Sequence, residues 1–175
     1  MVGTKVSLYP YLRDVEIIIP RIQRDYAQGR ADKKTIRENI LEKIFVALNG
    51  GKTCTLDFVY GTIEEKMNNR ILKPLDGQQR LTTLWLVHWY ISFRSGHLKE
   101  DSDVLRRFSY ETRSSSREFI QNLCDEMKKV DSDAIKGSVG EYIQNQNWFY
   151  NEWKYNPTIS SMLRTISGDM KEDIK

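Results

Sequence analysis

One segment organises this chain: Leu75-Asp76-Gly77-Gln78-Gln79-Arg80-Leu81-Thr82-Thr83-Leu84, where an Asp-Gly turn follows an apolar, strand-like run and opens a strongly apolar helix. The first turn of a helix presents unpaired backbone N–H groups and the positive end of the helix dipole, so this junction is a natural anion site. Gly77 lets a ligand approach the backbone closely, and Arg80 adds a fixed charge that can bind phosphate with two hydrogen bonds. Asp76 and Gln79 also fit a capping box, which needs no ligand. Taken alone, the segment leaves both interpretations open.

A second polar segment follows an apolar run nearer the start of the chain: Ile19-Pro20-Arg21-Ile22-Gln23-Arg24-Asp25-Tyr26. With Asp76-Gly77-Gln78-Gln79-Arg80-Leu81-Thr82-Thr83-Leu84, it makes the chain resemble the N-terminal domain of GmrSD-type, modification-dependent restriction endonucleases. The resemblance spans most of the chain, because it continues through residues 108–113, 148–149 and 157–159. Many members carry a tryptophan two residues after the tyrosine of the first segment, whereas this chain has Gln28 there.

In that family the Asp-Gly-Gln-Gln-Arg block belongs to a ParB/sulfiredoxin-like domain associated with nucleoside triphosphate binding and hydrolysis. The resemblance implies catalytic roles for Asp76, Gln78, Gln79 and Arg80. It implies nucleotide-binding roles for Arg21, Gln23, Arg24, Asp25, Gly77 and Arg80.

A mechanism follows from these assignments. The backbone of residues 77–79 and the Arg80 side chain would hold phosphates, and Asp76 would hold Mg²⁺ or orient water, because a bare carboxylate beside a triphosphate is repulsive. Gln78 or Gln79 would position the attacking water. Gln23 and Arg24 would close the site from the opposite loop and stabilise charge in the transition state.

The resemblance also implies partners. It places the nuclease in a C-terminal domain that is missing from this chain, so we expect DNA to be reached through the full-length protein and no DNA cleavage by this fragment. A different interpretation is a non-catalytic module that binds modified DNA or a partner subunit and places the Asp76–Arg80 loop on a DNA phosphate. A ParB-like nuclease is disfavoured, because the sequence shows no carboxylate cluster suited to two metal ions.

The fold class that we predict is α+β, with a small ParB/sulfiredoxin-like sheet, packed helices and a following helical region. Residues 1–100 form the nucleotide-binding core in this prediction, and residues 101–175 form a mainly helical extension that is truncated. The 175 residues suffice to bury a sizeable core, and 39% hydrophobic against 29% charged residues argues against long-range disorder.

Charge and cysteine content narrow the possible ligands. Residues 1–100 hold 16 Lys and Arg against 11 Asp and Glu, which favours a polyanionic ligand near both polar segments. Cys54 and Cys124 have no metal-ligand spacing with His88 and His97, so we expect reduced thiols and a core role for His88. No membrane-spanning run or signal peptide is present in the sequence given, and we expect a cytoplasmic protein.

Periodicity predicts the elements of the first half. Residues 15–19 read as a short buried strand ended by Pro20, and residues 36–48 as an amphipathic helix that stops at Gly50 and Gly51. Alternation over residues 53–60 predicts a strand that forms an antiparallel hairpin with residues 70–75.

In the second half, residues 81–93 are apolar all round and predict a buried helix. Residues 95–103 read as a polar connection and residues 107–112 as a strand, with helices beyond. The last apolar stripe, from Ile159 to Ile174, has no stop signal, so we expect it to leave apolar surface that a continuing chain or a second copy in a homodimer would cover.

Overall fold

The computed structural model describes residues 4–20, 25–28, 30–51, 53–55, 58–67, 69–111 and 114–169. Within these ranges the chain is α+β, as predicted, and its regular elements are α1 (Leu8–Asp14), β1 (Val15–Ile19), α2 (Lys34–Gly50), β2 (Tyr60–Lys66), β3 (Asn69–Asp76), α3 (Gln78–Arg94), α4 (Leu98–Leu105), β4 (Phe108–Tyr110), α5 (Ser114–Asp125), α6 (Val139–Gln144) and α7 (Pro157–Arg164). Short 3₁₀ turns cover Ala31–Lys33, Met127–Lys129, Ser132–Ala134 and Asn151–Tyr155, and a π turn covers Thr165–Asp169.

The four described strands form one mixed sheet in the order β2-β3-β1-β4. Strand β1 lies inside the sheet and runs parallel to both β3 and β4, with Val15 opposite Arg70 and Ile17 opposite Phe108. Because parallel strands end at the same edge of a sheet, the chain after Ile19 and the chain after β3 leave the sheet on one side. This topology brings the two polar segments toward each other.

The hairpin was predicted correctly, but the position of its first strand was wrong. Strand β2 covers Tyr60–Lys66, whereas the described residues 53–55 and 58–59 lie outside it. Lys66 pairs with Asn69, so the turn has two residues, and Met67 adopts a positive φ of 40°. The tight turn sets the pairing register of the hairpin. Nearly all of β2 is exposed, so the alternating apolar and polar residues at positions 53–60 do not mark the strand that forms.

Helix α3 is the centre of the core, as its apolar sequence predicts. Eleven of its 17 residues are buried, including both tryptophans. Trp85 Nε1 donates to Leu105 O at 2.9 Å and Trp89 Nε1 donates to Leu123 O at 3.1 Å. Since buried indole N–H groups need acceptors, these bonds fix the rotation of α3 about its axis. The first turn of α3 is therefore mounted on a rigid support.

Helix α4 corrects the prediction of a polar connection over residues 95–103. It begins after His97, and Leu98, Ser102 and Leu105 are buried at intervals of four and three residues. The buried face is narrow, so the charged residues on the other faces of the helix dominate the composition of the segment. A single apolar stripe of this width is easily read as a loop.

The described part of the C-terminal stripe is buried, so the expectation that it leaves apolar surface is wrong for those residues. Ile159 and Met162 are fully buried, and Ile166 in the π turn is 1% exposed. They belong to one cluster of buried hydrophobic side chains that begins at Leu8. Met170 and Ile174 lie outside the described residues. Among the described helices, none has the length and apolar character needed to cross a membrane.

Candidate functional site

The two polar segments meet through the side chain of Gln79. Its Nε2 donates to Asp25 O at 2.8 Å, and its Oε1 accepts from Ala27 N at 2.8 Å. The amide thus satisfies two backbone groups of the first loop and joins it to the first turn of α3. Three residues predicted to bind nucleotide from this loop lie outside the described residues: Arg21, Gln23 and Arg24.

Tyr26 fixes the first loop in the core and does not offer a stacking surface. The side chain is fully buried, and its hydroxyl forms hydrogen bonds with Thr83 Oγ1 at 3.0 Å and Thr165 Oγ1 at 3.2 Å. Burial raises the pKa of the Tyr26 phenol above its ordinary value. Thr83 Oγ1 also donates to Gln28 Oε1 at 2.5 Å. This bond attaches Gln28, which replaces the tryptophan of many related sequences, to α3.

Arg37 is a positioning residue that the sequence reading missed. The side chain is 5% exposed, and its Nη1 donates to Gln28 O at 2.6 Å and to Arg30 O at 3.3 Å. Burial lowers the pKa of the Arg37 guanidinium. Arg37 lies four and seven residues before Leu41 and Ile44, on the buried face of α2. The presence of an arginine at a position where the helical pattern predicts an apolar residue could have identified it.

Helix α3 begins without a capping box. Gly77 is the N-cap residue with φ 85°, and it makes no side-chain capping hydrogen bond. The predicted capping pair is separated, because Gln79 bonds to the first loop and Asp76 bonds to Arg80. Gln78 is buried, and its Nε2 donates to Pro74 O at 3.1 Å. Neither Asp76 nor Gln79 therefore caps the start of α3 in the way that a capping box requires.

Gly77 is required at this turn for two reasons. A φ of 85° is a left-handed conformation that disfavours side chains, and a Cβ at this position would lie 2.7 Å from Val59 Cγ2. The absence of a side chain thus permits the chain to pass close to Val59 at the start of α3.

Asp76 and Arg80 form an ion pair one helical turn apart. Arg80 Nη2 lies 3.3 Å from Asp76 Oδ2 and donates to Phe58 O at 2.9 Å. The Asp76 side chain is 56% exposed, whereas that of Arg80 is 22% exposed. An exposed pair of this kind contributes little to stability, so it can exchange partners when a stronger anion arrives.

A cleft of about 340 Å³ opens at this helix start. Its volume lies within the range of small-molecule sites. All five residues of the Asp-Gly-Gln-Gln-Arg block line it, together with Gln28, Thr55, and Ile36, Ile40 and Lys43 of α2. The three α2 residues were not predicted, since their helix carries no motif that marks it as part of a site.

Comparison with known proteins identifies the family. The model of the GmrSD restriction endonuclease, N-terminal domain, matches residues 8–172. The chain belongs to this GmrSD family. Membership makes it a component of a restriction, and hence phage-defence, protein. No curated protein and no solved structure matches the chain.

The donor set of this GmrSD domain fits a magnesium ion only together with a ligand. Among the described residues, no three His, Cys, Asp or Glu side chains cluster as a metal site. Mg²⁺ keeps several waters and is commonly bound through one or two carboxylates plus substrate phosphates, and Asp76 is the one carboxylate among the described residues that line the cleft. Neither Cys124 nor His88 lines the cleft. Cys124 is buried, which raises the pKa of its thiol, and His88 Nδ1 lies 2.8 Å from Leu84 O within α3.

Proposed function

We propose that this GmrSD domain binds a nucleoside triphosphate with Mg²⁺ in the cleft at the start of α3 and hydrolyses it. The observation that carries the proposal is the first turn of a 17-residue buried helix, which has glycine as its N-cap residue and lines that cleft. Such a turn offers several N–H donors and a positive potential to one anion. The buried tryptophans of α3 hold these donors in place, as a pre-organised site requires.

Phosphate binding begins with an exchange at Arg80. In the free domain Arg80 contacts Asp76 and Phe58 O. A phosphate bound to the N–H groups of residues 77–79 would lie within reach of Arg80 and would displace the Asp76 carboxylate from it. Arginine binds phosphate with two parallel hydrogen bonds, which a single 3.3 Å contact with Asp76 does not match.

The released Asp76 carboxylate would then be the group that holds Mg²⁺. The ion supplies charge neutralisation at the phosphate oxygens. Asp76 performs this role at an exposed position, where it can move by side-chain rotation without disturbing the core.

Gln78 and Gln79 are our candidates to orient the attacking water. Both amides have protein partners in the free domain, Pro74 O for Gln78 and the Asp25 loop for Gln79. Either role therefore requires one of these hydrogen bonds to be exchanged for a water. Asp25 lies beside the first turn of α3, since its carbonyl oxygen accepts from Gln79, and this supports its proposed contribution to the nucleotide. Arg21, Gln23 and Arg24 are proposed with it on the resemblance and lie outside the described residues.

The biological role that we propose is that of a sensor. Nucleotide binding or hydrolysis in this ParB-like domain would control DNA cleavage by a nuclease domain elsewhere in the full-length protein, and a homodimer is one assembly in which this control operates. The isolated chain is proposed to have no nuclease activity, since the described residues contain no cluster of carboxylates for two metal ions.

The test is a calorimetric titration of the purified chain with ATP, GTP, CTP and UTP, each with and without Mg²⁺. A 20-base-pair duplex at matched phosphate concentration serves as the alternative ligand, and release of inorganic phosphate measures hydrolysis. The proposal expects Mg²⁺-dependent binding of at least one triphosphate and slow phosphate release. Binding of the duplex without binding of any triphosphate would replace it with a DNA-phosphate module.

A further inference from the structure

Helix α2 provides a second wall of the cleft with a definite chemical pattern. Ile36, Ile40 and Lys43 all line the cleft and follow one another at intervals of four and three residues, so they lie on one face of α2. With a rise of about 1.5 Å per residue, this face extends about 10 Å along the helix. An apolar strip therefore ends in a positive charge.

The charge at the end of the strip is available for a ligand. Lys43 is exposed and forms no ion pair with any residue in the described ranges, unlike Arg80, the other cation that lines the cleft. Lys34, on the same helix, pairs with Glu38 at 3.3 Å. Lys43 can thus bind an anion without giving up an ion pair to any of the described residues.

The apolar part of the strip is partly uncovered. Ile36 is 50% exposed, and Ile40 is half-buried against the core. Apolar surface is stabilised when a ligand removes it from water. The ligand that suits this wall has an apolar, ring-containing body joined to an anion about 10 Å away, as in a nucleotide. An inorganic phosphate or a DNA backbone phosphate would use the cationic end alone.

We infer that α2 orients the nucleotide: Lys43 binds its phosphates beside the first turn of α3, and Ile36 and Ile40 cover its sugar and base. This inference rests on the proposed function and specifies how the ligand lies in the site. Because isoleucine side chains contact the faces of a ring and offer no hydrogen bonds to its edge, α2 contributes affinity for the nucleoside.

Two ligands separate the two ends of the site: Mg·ATP, which has both parts, and inorganic tripolyphosphate with Mg²⁺, which has only the anion. Lys43→Gln should weaken binding of both by about tenfold, the loss of one charged hydrogen bond. Ile36→Ala should weaken Mg·ATP by about threefold to tenfold and leave tripolyphosphate within about twofold. The matched controls are Lys34→Gln and Val46→Ala, on the same helix but away from the cleft.

The outcomes are distinct. If the wild-type chain binds Mg·ATP but Lys43→Gln behaves like Lys34→Gln toward both ligands, the orientation is wrong and the proposed function stands. The same conclusion follows if Ile36→Ala weakens both ligands equally or behaves like Val46→Ala. Mg·ATP is replaced by another triphosphate if calorimetry identifies one that the chain binds better. If the wild-type chain binds neither tripolyphosphate nor any of the four triphosphates, the proposed function fails and the orientation fails with it. Urea unfolding of each variant verifies that the folded state is intact.

Discussion

Replacement of Arg80 by alanine should weaken nucleotide binding far more than it weakens the fold. The Arg80 guanidinium donates to Phe58 O at 2.9 Å and contacts the exposed carboxylate of Asp76 at 3.3 Å. The exposed pair is worth about 0.3–0.5 kcal/mol and the hydrogen bond about 0.5–1.5 kcal/mol, so loss of these two contacts should lower the free energy of unfolding by about 1–2 kcal/mol. A charged hydrogen bond to phosphate is worth about 1.5–3 kcal/mol, which raises Kd by about 10-fold to 150-fold.

The assay is calorimetric titration of Mg·ATP, or of whichever triphosphate the wild-type chain binds, with urea unfolding as the measure of stability. Arg80→Lys should recover only part of the affinity, because an ammonium group cannot reproduce the planar, two-bond contact. Arg106→Ala is the matched control, since Arg106 also forms an exposed ion pair, with Asp125, at a distance of 3.2 Å. An unchanged Kd in a folded Arg80→Ala protein would refute the assignment of Arg80 as a phosphate ligand.

Three further predictions concern the support of the site. Gly77→Ala should lower the free energy of unfolding by at least about 1–2 kcal/mol, the cost of a side chain in the left-handed region, and adding Val59→Ala should restore only the part caused by the 2.7 Å contact. Ile166→Ala should cost about 2–5 kcal/mol in urea unfolding, and a change below 1 kcal/mol would show that the π turn is not packed. Burial lowers the pKa of His88, so the unfolded chain binds protons more readily and stability should fall as pH drops below about 6.5; a His88→Gln variant should lose less stability between pH 7 and pH 5.

The sequence predicts the elements whose periodicity reflects burial. Strand β1, with its alternating burial, and helix α3, buried on most sides, were both recognisable from their apolar residues. Strand β2 was displaced because it is almost fully exposed, and its position depends on the turn after Lys66. Where burial does not select the residues of an element, hydrophobic patterns carry no information about its position.

The residues of the candidate site also fall into two groups, those that a short segment of sequence predicts and those that only the fold brings together. The Asp76–Arg80 block was found because turn chemistry and helix-start chemistry are local properties of the sequence. Two features were not local: the attachment of Gln79 to the backbone of Asp25, 54 residues away in the chain, and the contribution of Lys43 from α2. The first depends on the parallel pairing of β1 with β3, which no short segment encodes.

The most direct test of the nucleotide site is an amide ¹H–¹⁵N chemical-shift titration of the isotopically labelled chain with Mg·ATP, or with the triphosphate that calorimetry identifies. A 20.6 kDa chain is within the range of this method. We predict that the largest shifts occur at the backbone amides of residues 77–80, with a second set on α2 around Lys43, and that Arg80→Ala reduces both. Saturating shifts confined to other parts of the chain, or no shifts at millimolar nucleotide, would contradict the account.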